Sequence, residues 1–372
     1  LKYRVKPVCS KGDLRAFIEL PYRLYSTNPV WVPPLRSEEK KQYDPKTNPV
    51  LLHCDVQHFL LKWGSRVMGR VSAFIDHSAV EHWRAPIGLF GSYECVDHPE
   101  GAGLLLQQAR QWLKEKGMTC MRGPWSFASQ EWGLLAKGYE SPPMIMAPYN
   151  PPYYLRHMED FGLTKAKDLL VYELDCQEGY LLPSRFTNLA DQIARRYKVT
   201  LRPVNMKRLE EDVRIIMEVA NASTDNNWGY VPVSEEEARD LARSMKSIVD
   251  PDIVMIAESG GKPVGYLIAL PDINPVIKKM NGRLFPFGFF RLITGLKKIQ
   301  QYRIWGLGIV PEFQRRALDT LFYRELYRVL YPKKPTLVEA NYVLEDNMVM
   351  NNPILKMGFS ETKRYRVYEM GI

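Results

Sequence analysis

A duplication constrains this chain more than any other feature of its sequence. Val67-Met68-Gly69-Arg70-Val71-Ser72-Ala73 leads to Asp76, and Pro263-Val264-Gly265-Tyr266-Leu267-Ile268-Ala269 leads to Asp272. Gly69 and Gly265, Ala73 and Ala269, and Asp76 and Asp272 each stand 196 positions apart. Each copy follows an apolar strand and a tight turn, Gly64-Ser65 in the first and Gly260-Gly261 in the second, which is the pattern of a β-hairpin. Asn150 to Phe161-Gly162 answers Asn347 to Met357-Gly358 at nearly the same offset. Two related domains are the simplest reading, and 372 residues give each an ample core. We place them at 1–178 and 184–372, joined where Gly179 and Pro183 interrupt the pattern.

The order of elements repeats as well. The first half reads strand (2–8), helix (14–25), hairpin (58–75), strand (87–96), helix (103–116), strand (119–122), helix (152–160) and strand (169–174). The second reads strand (199–203), two helices (209–222 and 235–248), hairpin (253–270), strand (304–310), helix (318–330), strand (337–341), helix (348–356) and strand (365–369). Leu318, Leu321, Phe322, Leu326 and Val329 show the spacing of one buried helix face. The fold class is therefore α/β, a mixed twisted sheet flanked by helices in each half.

With 45% hydrophobic and 25% charged residues, the chain is an ordinary globular one. Its net charge of +9 favours anionic partners: a phosphorylated cofactor, a nucleic acid or an acidic membrane surface. Cys9, Cys54, Cys95, Cys120 and Cys176 form an odd set without a Cys-x-x-Cys pair, which fits a reducing compartment. His53, Cys54, Asp55 and His58 make one local cluster without the second pair of a closed zinc site, so no metal is expected. No signal peptide opens the sequence and no apolar run approaches the ~20 residues of a spanning helix, so we expect a cytoplasmic location.

The halves differ in their insertions. The second carries about eighteen extra residues between hairpin and strand, within a run from Lys278 to Arg303 that has seven cations and no acid. Its centre is Leu284-Phe285-Pro286-Phe287-Gly288-Phe289-Phe290. Two readings stay open: an interfacial segment on an anionic membrane, with Phe287, Phe289 and Phe290 among acyl chains, or a helix packed on its own domain. Nucleic-acid binding ranks below both, because the aromatics cluster instead of alternating with the cations. The first half carries its excess at 123–148, with Trp125, Ser129, Glu131, Trp132 and Tyr139, followed by Tyr149-Asn150-Pro151-Pro152-Tyr153-Tyr154. These aromatics can wall an acceptor or acyl chain, or plug the junction of the halves.

Gln314-Arg315-Arg316-Ala317-Leu318-Asp319 reads as a turn with free amides at a helix N-terminus, a place for a pyrophosphate. This turn, with Asn347 and Gly358-Phe359 behind it, resembles the GNAT superfamily of acyl-CoA-dependent N-acyltransferases. Its cofactor motif reads Gln/Arg-x-x-Gly-x-Gly/Ala, and its following motif reads Asn-x-x-Ala, then Tyr, then Gly-Phe. Gln314, Ala317 and Asp319 fall on the first, and Asn347, Met350, Ile354, Gly358 and Phe359 on the second. The resemblance implies that Gln314 to Asp319 hold the pyrophosphate of an acyl-CoA and that Leu307, Gly308, Ile309 and Val310 pair with its pantetheine.

The sequence also departs from the pattern. Ala317 stands for a glycine, Asp319 puts a carboxylate in a phosphate site, and Ile354 takes the place of the family's tyrosine acid. His157 holds that place in the first half, as a general acid or a polar helix face. The first half has Asp97-His98-Pro99-Glu100 in place of the basic turn, so we expect it to serve as a structural or acceptor-binding half.

Transfer from a thioester to an amine requires a base, an oxyanion contact and a protonated thiolate. Glu339, on the strand beside the turn, is the candidate base or else a paired strand-edge acid, and Glu345 and Glu131 are reserves. Across the full length the chain looks like the double-GNAT family that includes bacterial ceramide synthases, which implies N-acylation of a lipid amine. An acetyl- or aminoacyltransferase for a soluble amine and a non-catalytic acyl-CoA or lipid sensor are the alternatives.

Overall fold

The computed structural model describes residues 2–127, 132–225, 227–283 and 288–372, with the side chains of all of these except 289 and 293. Ser129, Glu131 and Phe287 fall outside the described residues, and of Phe289 only the backbone is described. In chain order the elements are β1 (Tyr3–Pro7), α1 (Lys11–Leu24), α2 (Arg36–Gln42), β2 (Cys54–Trp63), β3 (Arg66–Asp76), α3 (His77–Trp83), β4 (Ile87–Cys95), α4 (Pro99–Glu115), β5 (Cys120–Gly123), β6 (Leu134–Lys137), α5 (Tyr153–Phe161) and β7 (Thr164–Asp175). They continue as α6 (Ser184–Tyr197), β8 (Val199–Pro203), α7 (Leu209–Thr224), α8 (Glu235–Met245), β9 (Val254–Ser259), β10 (Lys262–Pro271), α9 (Asn274–Lys278), α10 (Gly288–Leu296), β11 (Gln301–Ile309), α11 (Asp319–Leu330), β12 (Leu337–Leu344), α12 (Met348–Lys356) and β13 (Ser360–Gly371).

Packing divides the chain into two compact units. One is Leu1–Leu169 with Ile277–Pro286 and Lys363–Ile372, and the other is Leu170–Val276 with Phe287–Thr362. These are not the contiguous stretches 1–178 and 184–372 that the repeat suggests, because each unit takes its last strand from the opposite half of the sequence. In the first unit, β1, β2, β3 and β4 pair antiparallel in sequence order, β5 lies parallel to β4, and β13 closes the row with Tyr368 opposite Gly123. In the second, β8, β9, β10 and β11 pair antiparallel and β12 lies parallel to β11. Leu170, Tyr172 and Leu174 of β7 join that unit's core with Leu321, Phe322 and Leu326 of α11.

Both hairpins form as the repeat predicts. Gly69 is fixed by crowding, since a Cβ there would lie 2.7 Å from Leu105 Cδ1 and 2.9 Å from the Glu94 carbonyl. Helix α6 fills a stretch to which the sequence reading assigned no element. The basic run also divides. Ile277 and Met280 are buried, and the Gly282 carbonyl accepts from Arg36 N at 3.1 Å, so this part packs within the first unit. In α10, Phe290 is 68% exposed. No helix among the described residues is long and apolar enough to cross a membrane.

Candidate acyl-transfer site

Strand β11 and its parallel neighbour β12 position the site. Their ladder ends at Ile304 opposite Ala340, yet the strands run on to Ile309 and Leu344. A bulge in the β10–β11 ladder, between Ile268 and Ala269, accompanies the parting. The edge of Gly306 to Ile309 that faces away from β10 is therefore released from pairing with β12. It is where the resemblance puts pantetheine. Gly308 must be glycine for a local reason: a Cβ would lie 2.4 Å from both Ser223 Oγ and Tyr266 Cε1.

The turn follows at once. Arg315 and Ala317 both have φ of +57°, the left-handed region that favours glycine. Ala317 therefore keeps the backbone shape of the motif's glycine at a cost in strain. Gln314 does not face the helix start: its Nε2 donates to the Ile309 carbonyl at 2.9 Å and to the Ser223 carbonyl at 3.3 Å, tying the turn to β11 and α7. The Arg316 guanidinium stacks over Tyr197 and Phe313, 5.1 and 5.4 Å from the ring centroids. Leu318 is buried beneath the turn, and Asp319 begins α11. Burial pushes the Asp319 carboxyl above its ordinary range, against the pull of the Asp319 and Thr320 backbone N–H groups. Asn347 caps α12, its Oδ1 accepting from Met350 N at 3.3 Å. Ile354 is buried apolar core, so no acid stands at the tyrosine position.

Glu339 sits one residue before the ladder's end, on the opposite face of β12 from Val338 and Ala340, which pack with α11. It is 1% exposed, and Arg303, its cross-strand partner, is fully buried. Arg303 Nε donates to Asn341 Oδ1, and Asn341 Nδ2 donates to Glu339 Oε1. The Arg303 guanidinium also lies 5.3 Å from the Tyr342 ring centroid. In the sequence Arg303 is the last of the seven cations of the basic run, and nothing there marks it or Asn341 as a partner of Glu339. Glu345, half-buried just beyond β12, offers its carbonyl to Asn351 Nδ2 at 3.3 Å.

In the first unit the corresponding turn is closed by its own side chains. His98 caps α4, accepting from Gly101 N at 3.2 Å, and Asp97 pairs with Arg156 at 2.6 Å. His157 is 2% exposed, with Nδ1 2.9 Å from Tyr93 Oη and Nε2 3.5 Å from Asp97 Oδ1. Burial lowers its pKa, which describes a core histidine. Of the expected acceptor wall, Trp125, Asn150 and Tyr154 are buried and Trp132, Tyr149 and Tyr153 half-buried, held by contacts within this unit. Trp125 and Trp132 stack at 4.4 Å, and Tyr149 Oη accepts from Asn28 Nδ2 at 2.8 Å. Asn150 accepts from Leu135 N at 2.6 Å, and Tyr153 donates to the Cys95 carbonyl at 3.0 Å.

Tyr154 donates to Glu94 Oε2 at 2.9 Å, and Tyr25 donates to the same oxygen. Arg70 Nη2 lies 3.8 Å from Glu94 Oε1. This buried network stands beside a register shift in β4 and the left-handed Ser92, φ +48°. The sequence reading missed it because its members lie far apart in the chain. Of the imagined metal cluster, His53 and Cys54 meet Asp76 within 4.8 Å, whereas His58 turns to Ser72 Oγ at 2.8 Å.

No family model matches the chain. It is 34% identical over 375 residues to Protein YghO of Escherichia coli (strain K12), covering 99% of this chain and 95% of that one. It is 32% identical over 382 residues to the bacterial ceramide synthase of Caulobacter vibrioides (strain NA1000 / CB15N), covering 99% and 97%. Among solved structures, a tandem GNAT protein from the clavulanic acid biosynthesis pathway matches with a TM-score of 0.57 at 14% identity, covering 100% of this chain and 98% of that one. A GCN5-related N-acetyltransferase from Sphaerobacter thermophilus matches with a TM-score of 0.54 at 12% identity, covering 99% and 95%. The fold is thus the tandem GNAT fold. The chain belongs to the family of the Caulobacter bacterial ceramide synthase and the Escherichia coli Protein YghO, and it is a GNAT-type N-acyltransferase.

Proposed function

We propose that the protein transfers a long-chain acyl group from acyl-CoA to the amine of a single-chain lipid of the sphingoid-base type, giving a ceramide-type amide. The observation that carries this reading is the 32% identity to a bacterial ceramide synthase along nearly the whole of both chains. The parted β11–β12 edge and the left-handed turn before α11 support acyl-CoA as the donor.

In this reading the amides of Gln314 to Asp319 hold the pyrophosphate, with Arg315 beside them, and the edge of Leu307 to Val310 takes the pantetheine. Glu339 removes a proton from the lipid ammonium, and the free amine attacks the thioester carbonyl. An amide of the β11 edge holds the oxyanion. That attack forms the C–N bond, and collapse of the tetrahedral intermediate restores the carbonyl and breaks the C–S bond. Of the two protons the ammonium loses, the first passes from Glu339 to solvent and the second goes from the tetrahedral nitrogen to the thiolate through water. The exposed ring of Phe290, in the basic segment, fits a surface that meets lipid.

The test is an incubation with a long-chain acyl-CoA and a sphingoid base, with product read by mass spectrometry beside acetyl-CoA and a soluble amine. A ceramide-mass product from the first pair alone supports the reading. Amide from the soluble pair alone replaces it with a soluble-amine acetyltransferase.

A further inference from the structure

A cavity of about 620 Å³ lies in the second unit, away from the acyl-transfer turn. Its walls include Tyr323, Leu326, Tyr327 and Leu330 of α11, with Ile304 and Val338 from the first residues of β11 and β12. Tyr323 to Leu330 covers about 10 Å of helix at the end away from the turn. Ile304 precedes Ile309, where β11 reaches the turn, by about 17 Å of strand. Leu174, Met357 and Phe359 extend the apolar lining, and Gln177, Glu178, Gln300, Lys334 and Thr336 are its polar residues outside the tyrosines. Tyr331, which lines it, is 55% exposed, and Leu181, next to the lining residue Leu182, is 71% exposed. The volume lies within the range of small-molecule sites. Walls this apolar offer few partners to ordered water.

One polar group inside the wall stands out. Tyr323 is 6% exposed, and its hydroxyl has no hydrogen-bond partner among the described residues. A buried donor left in that state costs about 1–3 kcal/mol, so an oxygen acceptor brought to this wall recovers a penalty that an alkane leaves in place. The hydroxyl is shut off from solvent, so the contact requires a small shift of the ring towards the cavity. Burial first, then Asp319 one turn earlier on α11, keeps the phenol in its protonated, donating form, and walls this apolar favour a neutral oxygen over an anion.

We propose that this cavity is a lipid site separate from the transfer cleft, taking the alkyl chain of a neutral single-chain lipid whose hydroxyl or carbonyl oxygen accepts from Tyr323. The proposal rests on the second unit's packing and not on the acyl-transfer reading.

The experiment uses the full chain and two probes of equal length, 1-dodecanol and dodecane, each titrated against a fluorescent apolar reporter, with native mass spectrometry for stoichiometry. The expected result is one dodecanol per chain, bound more tightly than dodecane. Tyr323→Phe, which keeps the ring, should weaken dodecanol about three- to tenfold, as for one hydrogen bond, and leave dodecane unchanged. Leu326→Trp should abolish binding of both, and Leu326→Phe should weaken both if the larger change impairs folding as judged by circular dichroism. Equal binding of the two probes, equal effects of Tyr323→Phe on both, or undiminished binding in folded Leu326 variants overturns the proposal. Acyl-CoA titrations on the same variants keep the two sites apart: acyl-CoA affinity should survive Tyr323→Phe, whereas loss of acyl-CoA binding alone touches only the transfer reading.

Discussion

Arg303 and Glu339 face each other across the parallel pair β11–β12, and Asn341 joins their side chains inside the protein. A buried carboxylate and guanidinium linked through an amide form a high-stakes arrangement. Removing one partner leaves the other charge uncompensated, while both together hold the carboxylate in one place. That place is beside the point where the strands part, which is why Glu339 is the group we assign to proton removal.

Glu339→Gln keeps the shape and removes the base. Turnover should fall by about 10²–10⁴, as for lost general-base catalysis, with acyl-CoA affinity nearly unchanged. Steady-state kinetics and a binding titration check this, and unaltered turnover across pH would move the role to Glu345, Glu131 or water.

Ala317 supplies a test of the turn. A non-glycine residue in the left-handed region costs about 1–2 kcal/mol, and glycine's extra freedom in the unfolded chain returns about 0.5–1 kcal/mol. Ala317→Gly should therefore raise stability slightly and Ala317→Val should lower it, as read from urea midpoints. Arg315→Glu with Arg316→Glu should weaken acyl-CoA binding, and Asp97→Ala with Glu100→Ala should leave it alone. Equal loss from both pairs would remove the pyrophosphate from the second unit's turn.

His58 makes stability depend on pH. It is half-buried, and desolvation first, then the Arg70 charge, lowers its pKa to about 4. The unfolded chain, with a histidine near 6.5, binds the proton earlier, so this site's contribution is full above 6.5 and is lost as pH falls towards 4. Buried Glu94 is shifted upwards by desolvation and acts in the opposite direction over part of that window. The comparison should therefore be between wild type and His58→Gln. The difference in unfolding free energy should change by up to about 1.4 kcal/mol per pH unit between 6.5 and 4, and parallel curves would show that His58 does not remain neutral.

Much of the frame was legible because a hairpin is a local event. Gly69 and Gly265, with the turns before them, specify strand, turn and strand without reference to the rest of the chain. What stayed hidden depends on distant partners. Arg303 ends a run of cations and so reads as surface, yet it is buried because Glu339 and Asn341 meet it from a strand more than thirty residues later. The alternation of β13 marks a strand without naming its sheet, and its pairing with β5, Tyr368 opposite Gly123, and with β6, Arg366 opposite Leu134, assigns it to the first unit. Glu94 looked like any strand acid until Tyr25 and Tyr154 were brought to it from two other elements.

The crossing of that last strand can itself be tested at Asp168, which is 1% exposed. Arg366 of β13 meets it with Nε at 2.8 Å and Nη2 at 3.0 Å, and Lys165 Nζ and Arg364 Nη1 stand at 3.3 and 3.5 Å. Burial alone would raise the Asp168 pKa, but Arg366, then Lys165, outweighs it and holds the carboxyl below its ordinary value. The stabilisation is therefore present above the unfolded pKa near 3.8 and is lost as pH falls through the lower, folded value. Arg366→Met should cost towards the lower end of the about 3–5 kcal/mol for a broken buried pair, because the other two cations remain and Arg366 is itself partly exposed. Hydrogen exchange should speed up in β5 and β13 together, since they share a ladder. A variant as stable as wild type, or one that loosens β13 and leaves β5 protected, would show that the pair does not anchor the strand.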